Sequence, residues 1–598
     1  MKLYIKGLML SGLLAASACT DLDTDINTRY TELPDNPIVV EGEFNGCYKF
    51  LHGWFGRDFL EGVMLQGDEI MGCNYGLGNY WDDGRIFDGS VHSLHLDNWR
   101  TKLIDGCMSG CTYTNEKIAA YGGPQFNDPG VAPLRAIRAF YIYWMMELYG
   151  DCPLMNHVLD NGEVLNRTPR AEVCRWLEQE LLEILNQEGA LSKANDVSTY
   201  GKPNYWMAAA LLAKIYLNWG VYTNDITTVD FNTPNPKLAE CLKLCNEIIY
   251  NGPFALESGY RKKFFPDNGV HVKDFIYALD VDPDGKNDGT AQWYRWSAFK
   301  KYGLVMPSIL GFDLASSTAG VWIMTKEAVN RFNLPNDERN LMVQKGLQFQ
   351  YDNNYNKTDV PVFLYANIAV ASSKLFQLNF IDDFMFDDAS ILNLGDESSP
   401  KANGTTKADG TALMNIRKGA RLFKFPPREQ DYSLWGRQQA NDYPIFRLAD
   451  IILMKAECIM RGASDSHGDT FEGLINQIRA VAGAPSVNVA QEGANPASGL
   501  TPQAQVLLDE RSRELIEEPW RRNDLIRFGQ FEADWGMKNK YTVWDIDDHY
   551  KADPVEGVDY HWVERAGVKD HNRRLMPIHR EVLQANTNWS QNPGYQGL

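Results

Sequence analysis

The sequence predicts a mainly α-helical protein: a tetratricopeptide-like scaffold of helical hairpins carrying a large loop-rich insertion with short strands. Three observations predict it. Apolar residues recur at helical spacing in segments on both sides of the chain's middle. The middle itself, 252–440, breaks into clusters of Pro, Gly, Asn and Asp with short strand-like runs. Inside the helical segments, small residues such as Ala136, Ala139, Ala209 and Ala213 mix with large aromatics, a pattern that suits close helix packing.

In chain order, the first element is a leader. Lys2 and Lys6 give a basic start, 7–16 is apolar, and Ser17 and Ala18 lead into Cys19. This is the layout of a secretory signal peptide, and its apolar run falls short of the roughly 20 residues a spanning helix needs. With a cysteine directly after the small residues it resembles a bacterial lipoprotein signal, in which that thiol is lipidated; an ordinary signal with an incidental cysteine is the alternative. The polar stretch after Cys19 reads as a tether. The expected organisation is a signal peptide over 1–18, a lipid-anchored tether over 19–42 and an N-terminal helical scaffold over 43–251. A loop-rich ligand-binding region follows over 252–440, and 441–598 supplies helices and a tail that pack on the scaffold as one body.

Within the scaffold, a helix is plausible from Glu43 and again over 94–120. The clearest runs from Leu134 to Gly150, with Leu134, Ile137, Phe140, Tyr141, Trp144, Met145 and Leu148 on one stripe and Gly150 as the stop. Thr168 and Pro169 read as the N-cap and first-turn proline of the next, with Val173, Trp176, Leu177, Leu181 and Ile184 inward. Two more begin near Pro203 and cover Leu238 to Tyr250. Helical spacing resumes over Phe446–Met460, near Phe471–Val481 and after Thr501.

The formal net charge of −20 argues against nucleic acid and against docking to an anionic bilayer through a basic patch. Ten cysteines leave an odd number once Cys19 is set aside. The pairs Cys107/Cys111 and Cys241/Cys245 have i,i+4 spacing, a poor disulfide geometry. They read as small buried hydrophobes in preference to redox or metal ligands.

Four segments, in order, resemble the SusD/RagB family of outer-membrane lipoproteins. They are LRAIRAFYIYWMMELYGDCPLM (134–155), YPIFRLADIILMKAEC (443–458), ERSRELIEEPWRRNDLIRFG (510–529) and RRLMPIHREVLQANTNWSQNPGY (573–595). Pro519 stands where the family pattern has Gly, and His579 where it has Pro; Pro519 still interrupts a helix. The resemblance implies a non-catalytic, surface-exposed glycan-binding lipoprotein that closes over a TonB-dependent transporter and hands ligand inward. A minority of the family is associated with peptides, which keeps peptides or another nutrient as a second ligand class.

The chain contains no H-E-x-x-H, G-x-S-x-G or Walker loop. Adjacent carboxylates such as Glu517 and Glu518 carry little information in so acidic a chain, and a secreted glycoside hydrolase is the remaining enzymatic alternative. His92 and His95 lack an evident third metal ligand. The charges Arg511, Arg513, Glu514, Glu518, Arg521 and Asp524 read as structural pairs. Asp280, Asp282, Asp284 and Gly285 open like a calcium loop, with Asp288 as a further oxygen donor. The closing Glu of an EF-hand is missing, so calcium and a solvated acidic turn both remain open.

Sugar binding needs flat aromatic faces beside planar polar groups. Two loop clusters offer both: Asn79, Tyr80, Trp81, Asp83 and Arg85 in the first, and Trp293, Tyr294 and Trp296 in the second. Trp81 and Trp293 are the expected stacking platforms, with Trp322 and Trp435 in reserve.

Overall fold

The protein is described from a computed structural model. It describes residues 37–50, 60–64, 66–72, 102–281, 309–312, 322–365, 374–380, 419–431, 439–533, 540–542, 562–564 and 570–595. Two compact units divide the chain, 1–45 and 46–598. The described part of the first belongs to a helix over Pro37–Lys49.

In the second unit, consecutive helices pack each on the next: α1 (Leu103–Tyr121), α2 (Ala132–Tyr149), α3 (Arg170–Asn186), α4 (Tyr205–Leu217) and α5 (Leu238–Asn246). Some 200 residues later the stack resumes on α5 with α6 (Leu448–Met460), which carries α7 (Phe471–Ala482) and α8 (Pro502–Leu515); α9 (Arg521–Arg527) follows. The two ends of the chain thus build one continuous helical layer. The described strands are short and pair two by two: among them β1 (Ile70–Gly72), ahead of α1, with β3 (Trp322–Met324), and β2 (Phe275–Leu279) with β4 (Tyr443–Arg447), both antiparallel. No described helix is long and apolar enough to cross a membrane.

The helix of the Leu134 stripe is buried all round; every residue of α2 except Pro133 is in the core, Arg135 and Arg138 included. It is a central helix, not a one-sided one. Gly150 ends it at φ +75°, where an added Cβ would lie 2.8 Å from the Leu575 side chain. Next to it the tail closes the helix end. Asn592 Nδ2 donates to Tyr149 O at 2.9 Å and to Met576 O at 2.8 Å, and Trp589 Nε1 donates to Leu165 O. His579 takes the N-cap of the helix Arg580–Ala585, its Nδ1 accepting from Glu581 N.

Three expected boundaries move. Pro169, not Thr168, holds the N-cap position of α3, and the side chain that caps the helix start is Asp151, which accepts from Arg170 N at 2.8 Å. Thr168 instead bridges Cys152. The α5 helix stops at Asn246, and a π turn covers Glu247–Asn251. Tyr443–Arg447 is strand, so Phe446 precedes α6. Eight described cysteines are buried. Burial pushes the Cys111 and Cys174 thiols up to about 12, so they are packing groups with little thiolate character.

The core closes on Trp520, in the turn between α8 and α9. Trp144 of α2 stacks on it at 5.5 Å and Phe446 of β4 at 5.3 Å, both 22° from parallel, while Lys214 Nζ of α4 lies 4.2 Å from its centroid. In the same turn Glu517 sits at φ +64° and only 4 % exposed, its Oε2 without a hydrogen-bond partner. Burial raises its carboxyl well above the usual range, against the pull of Lys424. A left-handed conformation costs an L residue about 1–2 kcal/mol, of which glycine's greater unfolded freedom takes back about 0.5–1 kcal/mol. Glu517→Gly is therefore expected to raise stability by about 0.5–1 kcal/mol in urea unfolding. The gain should be larger at pH 7 than at pH 3, where the carboxyl is protonated in both states. A destabilised variant with no pH trend would reject this account.

Candidate ligand site and its roots

The aromatic–polar clusters singled out as ligand platforms follow β1 and β2 in the sequence. Trp81, Tyr80, Asn79, Asp83, Arg85, Trp293, Tyr294 and Trp296 lie outside the described residues, as do Cys19, Trp435, His92, His95, Asp282, Asp284 and Asp288. Asp280 is described: it stands half-buried past the end of β2. Trp322 is a β3 residue paired with Gly72. Among the described residues no cluster of three or more His, Cys, Asp or Glu is arranged to hold a metal.

What the structure does place is how both loops are rooted. Residues 66–69 lead into β1, and they are fixed by α8, α9 and the short helix Lys326–Arg331 with its cap Thr325. Gln66 Oε1 accepts from Arg522 Nε at 2.6 Å. Asp68 receives Arg521 through two bonds, 2.6 and 2.9 Å, and Arg331 besides. Glu69 accepts from Ser512 Oγ at 2.7 Å, and Thr325 ties down the backbone carbonyls of Asp68 and Glu69. Burial alone would raise the Asp68 carboxyl; the Arg331 and Arg521 guanidiniums outweigh it and hold it well below the usual carboxylate range. Burial raises Glu69 to about 7 despite Arg521, and the Asp68 charge adds to the rise.

The second loop leaves β2, whose entry residue Asp274 is fully buried. Its Oδ2 takes Lys263 Nζ at 2.7 Å and Arg447 at 2.6 Å, and its Oδ1 accepts from Ala449 N at the start of α6. Arg447 reaches on to Glu514 at 2.8 Å and to Glu518 at 2.8 Å. Past β2, Asp442 Oδ1 accepts from Val281 N and its Oδ2 from Tyr200 OH. Gly201, at φ +68°, makes room here, since a Cβ would lie 2.6 Å from that of Asp280.

Both roots therefore end on one block, α8 with its turn and α9. Apart from Glu517, the 510–529 charges are buried and paired, mostly between elements: Arg339 with Glu510 and Glu514, Arg511 with Asp524 and Asp450, Arg527 with Glu457. Only Arg513–Glu510 and Arg527–Asp524 among these are i,i+3 pairs. Glu517 and Glu518 are 4 % and 2 % exposed, so this carboxylate pair does not flank a sugar. A cavity of about 360 Å³ opens beside the first root, and its cations are engaged: Arg331 with Asp68 and Asp509, Arg513 with Glu510. Sequence reasoning assigned no role to Asp68, Glu69, Asp274 or Arg447. Arg521 and Asp68 are 453 residues apart, and no local pattern joins them.

A helical stack that fastens two loop roots through one buried charge block is a scaffold for presenting loops. The chain belongs to the SusD family, whose model matches residues 274–595, over half of the chain. This is a family of binding proteins, not catalysts. The starch-binding protein SusD of Bacteroides thetaiotaomicron is 25% identical over 484 residues, covering 78% of this chain and 72% of that one. Two solved structures share the fold. A laminarin-binding SusD-like protein has a TM-score of 0.62 at 16% identity, over 94% of this chain and 100% of that one. Surface glycan-binding protein A of Bacteroides thetaiotaomicron, solved with laminarihexaose, has a TM-score of 0.58 at 17% identity with the same coverage.

Proposed function

We propose that this protein is a cell-surface glycan-binding lipoprotein, anchored through Cys19, that captures glucan oligosaccharide on its two aromatic loop clusters and passes it to a TonB-dependent outer-membrane transporter. The observation that carries the reading is the shared fastening to the α8–α9 block of β1 and β2, the strands that precede the two clusters in the chain. A fixed base lets aromatic platforms hold their spacing before ligand arrives, which reduces the ordering cost of binding. The names of the relatives, starch-binding and laminarin-binding, support glucose polymers as the ligand class. The polar stretch after Cys19 supports a tethered body free to move over a transporter.

The test is retardation of the chain from residue 20 onward in native gels containing starch or laminarin. Wild type is expected to be retarded by one or both. Trp81→Ala and Trp293→Ala should each weaken retention about tenfold, as loss of a stacking ring of about 1–2 kcal/mol implies. Full retention in both variants would reject these platforms; a wild type that neither glucan retards would reject the glucan reading.

A further inference from the structure

The helical layer carries another concave surface, built from residues outside both loop clusters. After α5 the chain widens into the π turn Glu247–Asn251, a distortion that recurs at functional positions. Tyr250 in this turn is 45 % exposed. Its ring lies flat on the imidazole of His467, from the α6–α7 connection, with centroids 4.0 Å apart and planes 7° from parallel.

The pair is held from below. Lys455, whose side chain is fully buried, sets Nζ 2.5 Å from Asp469 Oδ2, 3.2 Å from Asp465 Oδ1 and 3.3 Å from Tyr250 OH. Tyr250 OH donates to Asp469, and Asp465 accepts from His467 N at 3.2 Å and Asn246 Nδ2 at 2.9 Å. Beside the stack lies a cavity of about 280 Å³, lined by Asn246, Glu247, Asn251, Ser464, Ser466 and His467 among others. One polar atom of this wall is orphaned: Asn246 Oδ1 is buried with no hydrogen-bond partner. An unsatisfied buried acceptor in a native fold calls for an explanation.

We propose that this cavity is a second carbohydrate subsite that takes one neutral hexose ring of the polymer the loops hold. The proposal rests on the glucan reading above. The wall combines a flat aromatic edge with amides and hydroxyls, the pairing that recognises a pyranose through its C–H face and its hydroxyl rim. Glu247 is balanced by Lys193 at 3.3 Å and accepts from Asn251 Nδ2 at 2.7 Å, and the other charged residue of the wall, the exposed Lys243, can donate to a sugar hydroxyl oxygen, so a neutral polyol suits the wall. The volume equals roughly nine waters at about 30 Å³ each, room for a single sugar ring and not for a longer oligosaccharide. A second contact on one chain acts mainly on polymers, through effective concentration.

The experiment compares wild type, His467→Ala and the cavity-filling Ser466→Trp, each alone and with Trp81→Ala. It uses calorimetry with laminarihexaose and maltohexaose, and gels containing laminarin or starch. Wild type should bind two hexasaccharides per chain. His467→Ala and Ser466→Trp should bind one, with polymer retention down about tenfold or more and unchanged affinity at the remaining site. In the Trp81→Ala background, either change should take the stoichiometry from two to one and lower polymer retention further, leaving only the weakened loop binding. One hexasaccharide per wild-type chain, with polymer retention unaffected by both cavity variants, overturns this proposal and leaves the glucan reading standing. No binding of any of these glucans by wild type overturns both.

Discussion

Arg447→Leu is expected to cost about 3–5 kcal/mol of stability, the range for breaking a buried ion pair from one side. Arg447 is fully buried, and its guanidinium is shared among Asp274, Glu514 and Glu518. A leucine would leave Asp274 to Lys263 alone, Glu518 to Lys424 alone and Glu514 to the end of Arg339. Removing water from a carboxylate is costly unless a partner returns the interaction, and here the partner is removed while the burial stays. Lysine at 447 would restore the charge but not the fork that serves three acceptors, so Arg447→Lys should recover only part of the loss. Adding Glu514→Gln to Arg447→Leu removes a poorly compensated charge without orphaning a cation, since Arg339 keeps Asp337 and Glu510, and should win back a share of the stability. Urea unfolding of the three variants checks this, and a loss under about 1 kcal/mol for Arg447→Leu would show that the block is not held by its charges.

Which parts of this architecture can be read along the chain follows from the range of the interactions. The helices α2, α4, α6 and α8 were legible because their apolar spacing and their stops are local; Thr501, for example, caps α8 through Ala504 N. Phe446 was read into a helix because a fully buried strand such as β4 has no alternation to mark it. Thr168 was read as a cap because it has the right chemistry one residue early, whereas the actual cap, Asp151, comes from the chain that passes beneath. The loop clusters are legible as composition, aromatics among Asn, Asp and Arg. Their roots are not, since Asp68–Arg521 and Asp274–Arg447 join residues hundreds apart. The 510–529 segment shows its charges at helical spacing, and that spacing gives no sign that nearly all of them face other elements instead of each other.

The same block should give stability a two-sided pH dependence, steepest where the first loop is rooted. Four of the carboxyls tied to this block have folded values well below their usual ones. Burial opposes this in each, and it is outweighed by Arg331 and Arg521 at Asp68, by Lys263 and Arg447 at Asp274, and by Arg339, Arg513 and Arg479 at Glu510. At Asp524 it is outweighed by Arg511, Arg527 and Lys214, leaving a value of about 2. A lowered carboxyl contributes stability that is complete above its unfolded value and is lost as pH falls toward the folded one, so these groups weaken the fold from about pH 4 downward. Glu69 has the opposite sign. Its folded value is raised from 4.5 to about 7 by burial, so the folded state binds the extra proton in that window. Its contribution is therefore complete below pH 4.5 and is lost as pH rises toward 7. Glu69→Gln keeps an oxygen for Ser512 Oγ and removes the titration. It should flatten the decline between pH 4.5 and 7 while leaving the acid limb in place, and unfolding midpoints across this range measure both limbs. Equal slopes for wild type and variant between pH 4.5 and 7 would place the proton elsewhere, and would mean that the root of the first loop keeps one charge state across neutral pH.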